Sequence, residues 1–168
     1  MNHELNAKSF RLARVSPLIL TLTILLLVLP AAFLVGAVLG PHLLAAPAFF
    51  LIAVYAWVWL RFRPSSLTVD RTGIQVKWPL KRRDIPREGI TSARVVDRHE
   101  LRREIGWGMR VGAGGPWGGF GCLWTTRRGL VQMYITRTDR FVWIERGDAR
   151  PWLVTPEEPE EFVRALWH

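Results

Sequence analysis

The chain has 168 residues, 49% of them hydrophobic, and a formal net charge of +9. That length accommodates one ordinary domain plus a small appendage. The basic residues form no long unbroken tract, which argues against a nucleic-acid-binding arm, and the single cysteine, Cys122, excludes an intrachain disulfide and a CxxC metal knuckle.

The average composition hides two solvents. Residues 18–60 contain no Asp, Glu, Lys or Arg. Before and just after them stand Lys8, Arg11, Arg14, Arg61 and Arg63 against Glu4, and residues 65–168 carry the other 18 basic and 13 acidic side chains. Both parts are therefore net positive, as suits a chain lying beside anionic lipid headgroups.

Residues 1–17 form a short N-terminal segment. The first apolar run, 18–39, would rise about 33 Å as a helix, enough for a hydrocarbon core of about 30 Å. Pro30 interrupts it and removes one backbone hydrogen bond, a loss that membrane helices tolerate. Gly40-Pro41-His42 makes an uncharged turn, and a second run, 43–60, returns. Tyr55, Trp57 and Trp59 crowd its end, as an interfacial aromatic belt would. A signal peptide has a shorter apolar core and no second run close behind it. The two runs thus predict a transmembrane hairpin. Lys and Arg flank its entry and exit but not its turn, so the positive-inside rule places both chain ends and the following domain in the cytoplasm.

After Pro64-Ser65-Ser66 the hydrophobic period changes to two. Leu67 and Val69, then Ile74, Val76 and Trp78, alternate with polar residues across the turn Asp70-Arg71-Thr72-Gly73, which predicts a hairpin. Lys81–Asp84 reads as a charged stretch, and residues 91–98 as a strand. Residues 99–104 read as a solvated loop or helical turn. Residues 106–121 hold eight glycines. Strands are predicted at 119–126, 130–136, 140–146 and 151–154. Pro159, Glu160 and Glu161 open a final helix with the apolar stripe Phe162, Ala165 and Leu166. About seven antiparallel strands and one terminal helix predict a small β-barrel or sandwich plugged by that helix.

The stretches SLTVDRTGIQVKWPLKRRDIPREGI, GGFGCLW, LVQMYITRTDRFVWIE and WLVTPEEPEEFVRAL resemble the bacterial pleckstrin-homology (PH)-like domains found beside transmembrane helices in bacterial membrane proteins. The resemblance runs from Leu67 to Leu166, within a domain at 65–168. It implies two nearly orthogonal antiparallel sheets closed by a C-terminal capping helix, in a protein of the bacterial cytoplasmic membrane. PH-like folds serve as lipid-, peptide- and protein-docking modules, so the resemblance implies binding rather than catalysis, without choosing the ligand.

Two groups of residues are candidates for that binding. The first is the basic set Lys77, Lys81, Arg82, Arg83 and Arg87, which can either hold anionic headgroups or simply keep an edge soluble. The second is the glycine-rich run. It lacks the strand-before, helix-after context and the Lys-Ser/Thr of a nucleotide loop. It reads either as a mobile loop displaying Trp107 and Trp117 or as glycines permitting bulges and close strand crossings. Trp78, Trp143 and Trp152 fall at alternating strand positions and read as core.

His3, His42, His99 and His168 have no metal-ligand spacing, and no nucleophile elbow accompanies any of them. No cofactor, metal or enzymatic activity is expected. The expected partner is the bilayer, with a docked protein or a second copy of the chain as the alternative, and no nucleic acid. A structural or assembly subunit packing through its hairpin is the competing reading, because Gly36 and Gly40 form a small-xxx-small pair.

Overall fold

The computed structural model describes residues 7–115 and 117–167. His3, His168 and Pro116 lie outside the described residues. Two apolar helices, α1 (Pro17–Leu39) and α2 (Ala45–Phe62), are joined by a one-turn 3-10 helix at His42–Leu44. Both are long and apolar enough to cross a membrane. Their side chains face outward rather than into a core: along α1 only Ile19, Thr23, Pro30 and Ala37 are buried, and along α2 only Ala48.

Within the hairpin, Pro30 has no N–H to offer the carbonyl four residues earlier, that of Leu26. Tyr55 of α2 supplies the missing donor, its hydroxyl reaching the Leu26 carbonyl at 3.1 Å. Tyr55 therefore works inside the hairpin as well as lying near its aromatic end. Gly36 also serves its own chain, since a Cβ there would lie 2.9 Å from Leu44 Cδ1.

The rest of the chain is a β-rich domain with ten strands, where about seven were expected. A four-stranded sheet has the order β1-β2-β3-β4, with β1 Lys8–Arg11, β2 Ser66–Asp70, β3 Gly73–Lys77 and β4 Arg82–Pro86. A six-stranded sheet has the order β5-β9-β10-β8-β7-β6, with β5 Ser92–Val96, β6 Gly108–Gly115, β7 Gly118–Thr125, β8 Gly129–Ile135, β9 Phe141–Arg146 and β10 Ala149–Val154. Two more helices are α3 (Arg98–Ile105) and α4 (Pro159–Trp167).

Each of the three additional strands has a physical reason. The charged stretch becomes β4 because an outer strand tolerates exposed charge while Ile85, opposite Ile74, faces the core. The glycine-rich run becomes β6, paired in register with β7 from Gly108↔Thr125 to Gly115↔Gly118, so it is a hairpin arm and not a loop. At its turn Gly118 has φ 149°, and a Cβ there would lie 2.3 Å from the Ile135 carbonyl oxygen, so only glycine fits.

The third is β1, which precedes the hairpin in sequence. It pairs antiparallel with β2, from Lys8↔Val69 to Arg11↔Ser66. The strands are not all antiparallel either. β10 inserts between β8 and β9 and runs parallel to β8. The stretch read as a loop or helical turn is α3. Asp97 caps it by accepting from Glu100 N–H at 2.7 Å, and Leu101 and Ile105 form its buried face.

The six-stranded sheet has apolar residues on both faces. One face packs against the four-stranded sheet and α4, burying Phe10, Leu67, Phe120, Trp152 and Phe162 among others. Trp78 belongs to the same core and Trp143 to the second one. That second core, on the opposite face, is covered by α3.

The chain entering α1 is tied to this body. Ala13 N–H donates to the Thr155 carbonyl at 2.8 Å and Ser16 N–H to the Thr136 carbonyl at 3.0 Å. The Thr136 hydroxyl donates to the Ala13 carbonyl at 2.7 Å, and Thr136 N–H donates to Thr155 Oγ1 at 2.9 Å. At the other end, Trp78 Nε1 donates to the Phe62 carbonyl at 3.1 Å, holding the last residue of α2.

Two outcomes follow. Tyr55→Phe leaves the Leu26 carbonyl unpaired among apolar side chains and destabilises the hairpin by about 1–3 kcal/mol in denaturant titration of micelle-bound protein. Adding Pro30→Ala restores the intrahelical bond and recovers most of the loss. Thr136→Val strands the buried Ala13 carbonyl and costs about 1–3 kcal/mol of domain stability, read by chemical denaturation of the full-length protein.

Candidate functional site

The site is built where α2 enters the domain. Trp78, Tyr134 and Trp152 form a buried ladder of rings, with centroids 5.4 Å apart for the first pair and 5.2 Å for the second. Cations close over it. Lys81 Nζ lies 4.5 Å from the Trp78 ring, and the Arg83 and Arg146 guanidinium groups lie 5.4 and 5.8 Å from the Trp152 ring. Cation–π contacts of this kind hold a positive charge without neutralising it.

Strand parity explains which residues meet. Arg83 stands opposite Val76 and shares the face of Ile85, so it reaches the ladder. Lys77 and Arg82 stand opposite each other on the other face, beside Gln75 and Asp84, whose side chains bond at 2.9 Å. Arg87 lies in the one-turn helix Arg87–Gly89, at the far end of the β3–β4 hairpin. The five basic residues expected to act together are thus divided three ways.

Three cations outside the expected set join them: Arg146, Arg61 and Arg63. Arg146 ends β9, far from β4 in sequence. Its distance hides it, although it shares the parity of Ile144, which pairs with Trp152. Arg61, on the last turn of α2, is close enough to press on Lys81.

The electrostatics match a set of like charges. Burial, together with repulsion from Arg61 and Arg83, holds Lys81 below its ordinary pKa. Burial and Arg83 do the same to Arg146, and burial alone lowers Arg63. Arg63 lies over the Trp59 ring at 4.1 Å. The Nε atoms of Arg63 and Arg146 are buried without a hydrogen-bond partner. Among the described residues, ion pairs are made by Lys8, Arg94, Arg128, Arg137 and Arg140, and by none of these helix-exit cations. Beside them a cavity of about 410 Å³ is lined by Arg11, Arg63, Ser65, Ser66 and Trp59. Guanidinium groups without carboxylate partners next to serine hydroxyls favour an oxygen-bearing anion.

Trp107 and Trp117 are not neighbours. Trp117 meets the helices: its N–H donates to Thr23 Oγ1 at 2.9 Å, and its ring stands edge-on to Trp59 at 4.7 Å. Trp107 lies beyond the other end of the β6–β7 hairpin, 65% exposed, against Trp124. Among the described residues no three His, Cys, Asp or Glu side chains gather as metal ligands.

Burial raises the Tyr134 phenol from 10.0 to about 12, opposed in part by Arg83. The folded state therefore holds this proton where the unfolded chain releases it. The associated stability is intact below pH 10.0 and is lost as pH rises towards about 12. A stability–pH series should show an alkaline loss on the order of 2 kcal/mol that Tyr134→Phe removes.

No curated protein and no solved structure matches the chain significantly. A family model described as "Bacterial PH domain" matches residues 65–168. The match takes in the ring ladder, Lys81, Arg83, Arg146, α3 and α4, and leaves out β1, α1 and α2. With more than half of its length matched, the chain belongs to the bacterial PH domain family.

Proposed function

We propose that this protein is a non-enzymatic docking module held in the bacterial cytoplasmic membrane by its α1–α2 hairpin, with its PH domain binding anionic phospholipid headgroups at the cytoplasmic face. A PH-like domain is in general a binding module. The headgroup reading rests on one observation: Arg61, Arg63, Lys81, Arg83 and Arg146 gather where α2 enters the domain, and none has a carboxylate partner among the described residues. Gathering like charges this way is unfavourable until an anion compensates them. A bilayer crossed by α2 brings phosphates to that place, within reach of Arg61 and the cavity at Arg63. Trp59 and Trp117 meet edge to face where an interfacial belt would lie.

The competing reading, assembly through the hairpin by Gly36, draws less support because Gly36 already closes on Leu44 of its own chain.

The test uses full-length protein in nanodiscs of phosphatidylcholine with and without phosphatidylglycerol. Amide hydrogen exchange across 77–86 should slow when phosphatidylglycerol is present. Lys81→Gln, Arg83→Gln and Arg146→Gln should each weaken that effect by about fivefold, at roughly 1 kcal/mol per charge, and added salt should weaken it further. Identical exchange in the two lipids would refute the headgroup reading.

A further inference from the structure

The outer face of the six-stranded sheet carries a second apolar core, and its cover leaves a groove open beside it. Six strands at about 4.8 Å spacing span roughly 24 Å, and a helix with its side chains covers only about 10–12 Å. α3 is one helix of eight residues. Beside it remains a groove of about 450 Å³, within the range of about 300–1,000 Å³ common to ligand sites. Its floor includes Leu123, Met133, Ile135 and Leu153, and Leu101 and Ile105 of α3 form one wall.

Two observations say what fits there. Leu18, in the first turn of α1 and 66% exposed, also lines the groove. The apolar floor is therefore continuous with the outward-facing surface of the helix hairpin. The polar rim is cationic: Arg98, Arg102 and Arg110 line the groove and are exposed. The acids of α3 are engaged elsewhere, Glu100 with Arg94 and Glu104 with Arg94 and Arg128. No carboxylate among the described residues pairs with the rim arginines.

We propose that this groove takes one acyl chain of an anionic phospholipid from the adjoining leaflet, with the lipid phosphate held by Arg98, Arg102 and Arg110. An amphiphile with one negative head and an apolar tail matches an apolar floor with a cationic rim. Entry alongside Leu18 lets the tail slide from lipid into protein without crossing water. The inference rests on the reading that the hairpin lies in the bilayer, but it uses none of the helix-exit cations. It assigns the domain a captured lipid in addition to the surface headgroups.

The experiment reconstitutes the full-length protein in nanodiscs of phosphatidylcholine doped with phosphatidylglycerol carrying a diazirine in its acyl chain. After illumination, labelled peptides are mapped. Label is expected on α1 and α2 and also on peptides containing Leu101, Ile105, Leu123 and Met133. Arg98→Gln and Arg102→Gln, both at exposed positions, should lower the groove label by about fivefold per charge while the helix label persists. Leu123→Trp, which fills the floor, should lower it with the rim intact. Lys81→Gln with Arg83→Gln should leave it unchanged.

Label on the helices but not in the groove overturns the inference and spares the membrane reading. Groove label indifferent to both rim substitutions, or equal from diazirine-bearing phosphatidylcholine, overturns the anionic specificity. Absence of label from α1 and α2 overturns the membrane reading, and the groove inference with it.

Discussion

The structure depends on the backbone bonds that tie the segment before α1 into the domain after α2. Ala13 and Ser16 donate to the carbonyls of Thr155 and Thr136, and the Thr136 hydroxyl returns a bond to Ala13. Thr136 and Thr155 are fully buried, so each of these polar groups needs the other. Through this clamp β1 completes the four-stranded sheet and Phe10 meets Phe162 of α4 edge-on at 5.3 Å. The hairpin thus leaves from and returns to a single body, held at one end by the threonines and at the other by Trp78.

That attachment organises the charges. With α2 held by Trp78, the arginines of its exit cannot drift away from Lys81, Arg83 and Arg146. Carboxylates of α3 and α4 satisfy basic residues elsewhere instead: Glu104 pairs with Arg94 and Arg128, and Glu160 with Arg140 at 2.6 Å. Arg63, Lys81, Arg83 and Arg146 are left with aromatic faces alone. Aromatic rings position a cation but do not discharge it. A surface so arranged retains its attraction for an external anion, the basis of the proposed docking at headgroups.

Some of what sequence reasoning overlooked was legible in it. Arg83 lies two residues before Ile85, so strand parity separates it from Arg82. Asp97, Glu100 and Gly106 mark the ends of α3. Arg146 was not legible, because its neighbours come from β4 and β10 and only the sheet pairing brings them together. The same holds for the glycine-rich arm: its composition suggests mobility, and only in-register pairing with β7 makes it a strand.

By itself the sequence determined the two uncharged apolar runs, the switch to period two after Pro64, the core tryptophans and the terminal helix. Each of these is local, a matter of composition or periodicity within a few turns of chain. Tertiary structure alone decided that residues 8–11 join a sheet whose other strands begin at residue 66, that Tyr55 repairs the bond lost at Pro30, and that five basic residues expected as one cluster divide among three places. Those outcomes depend on hydrogen bonds and ring contacts between residues far apart in the chain, whose partners no local pattern specifies.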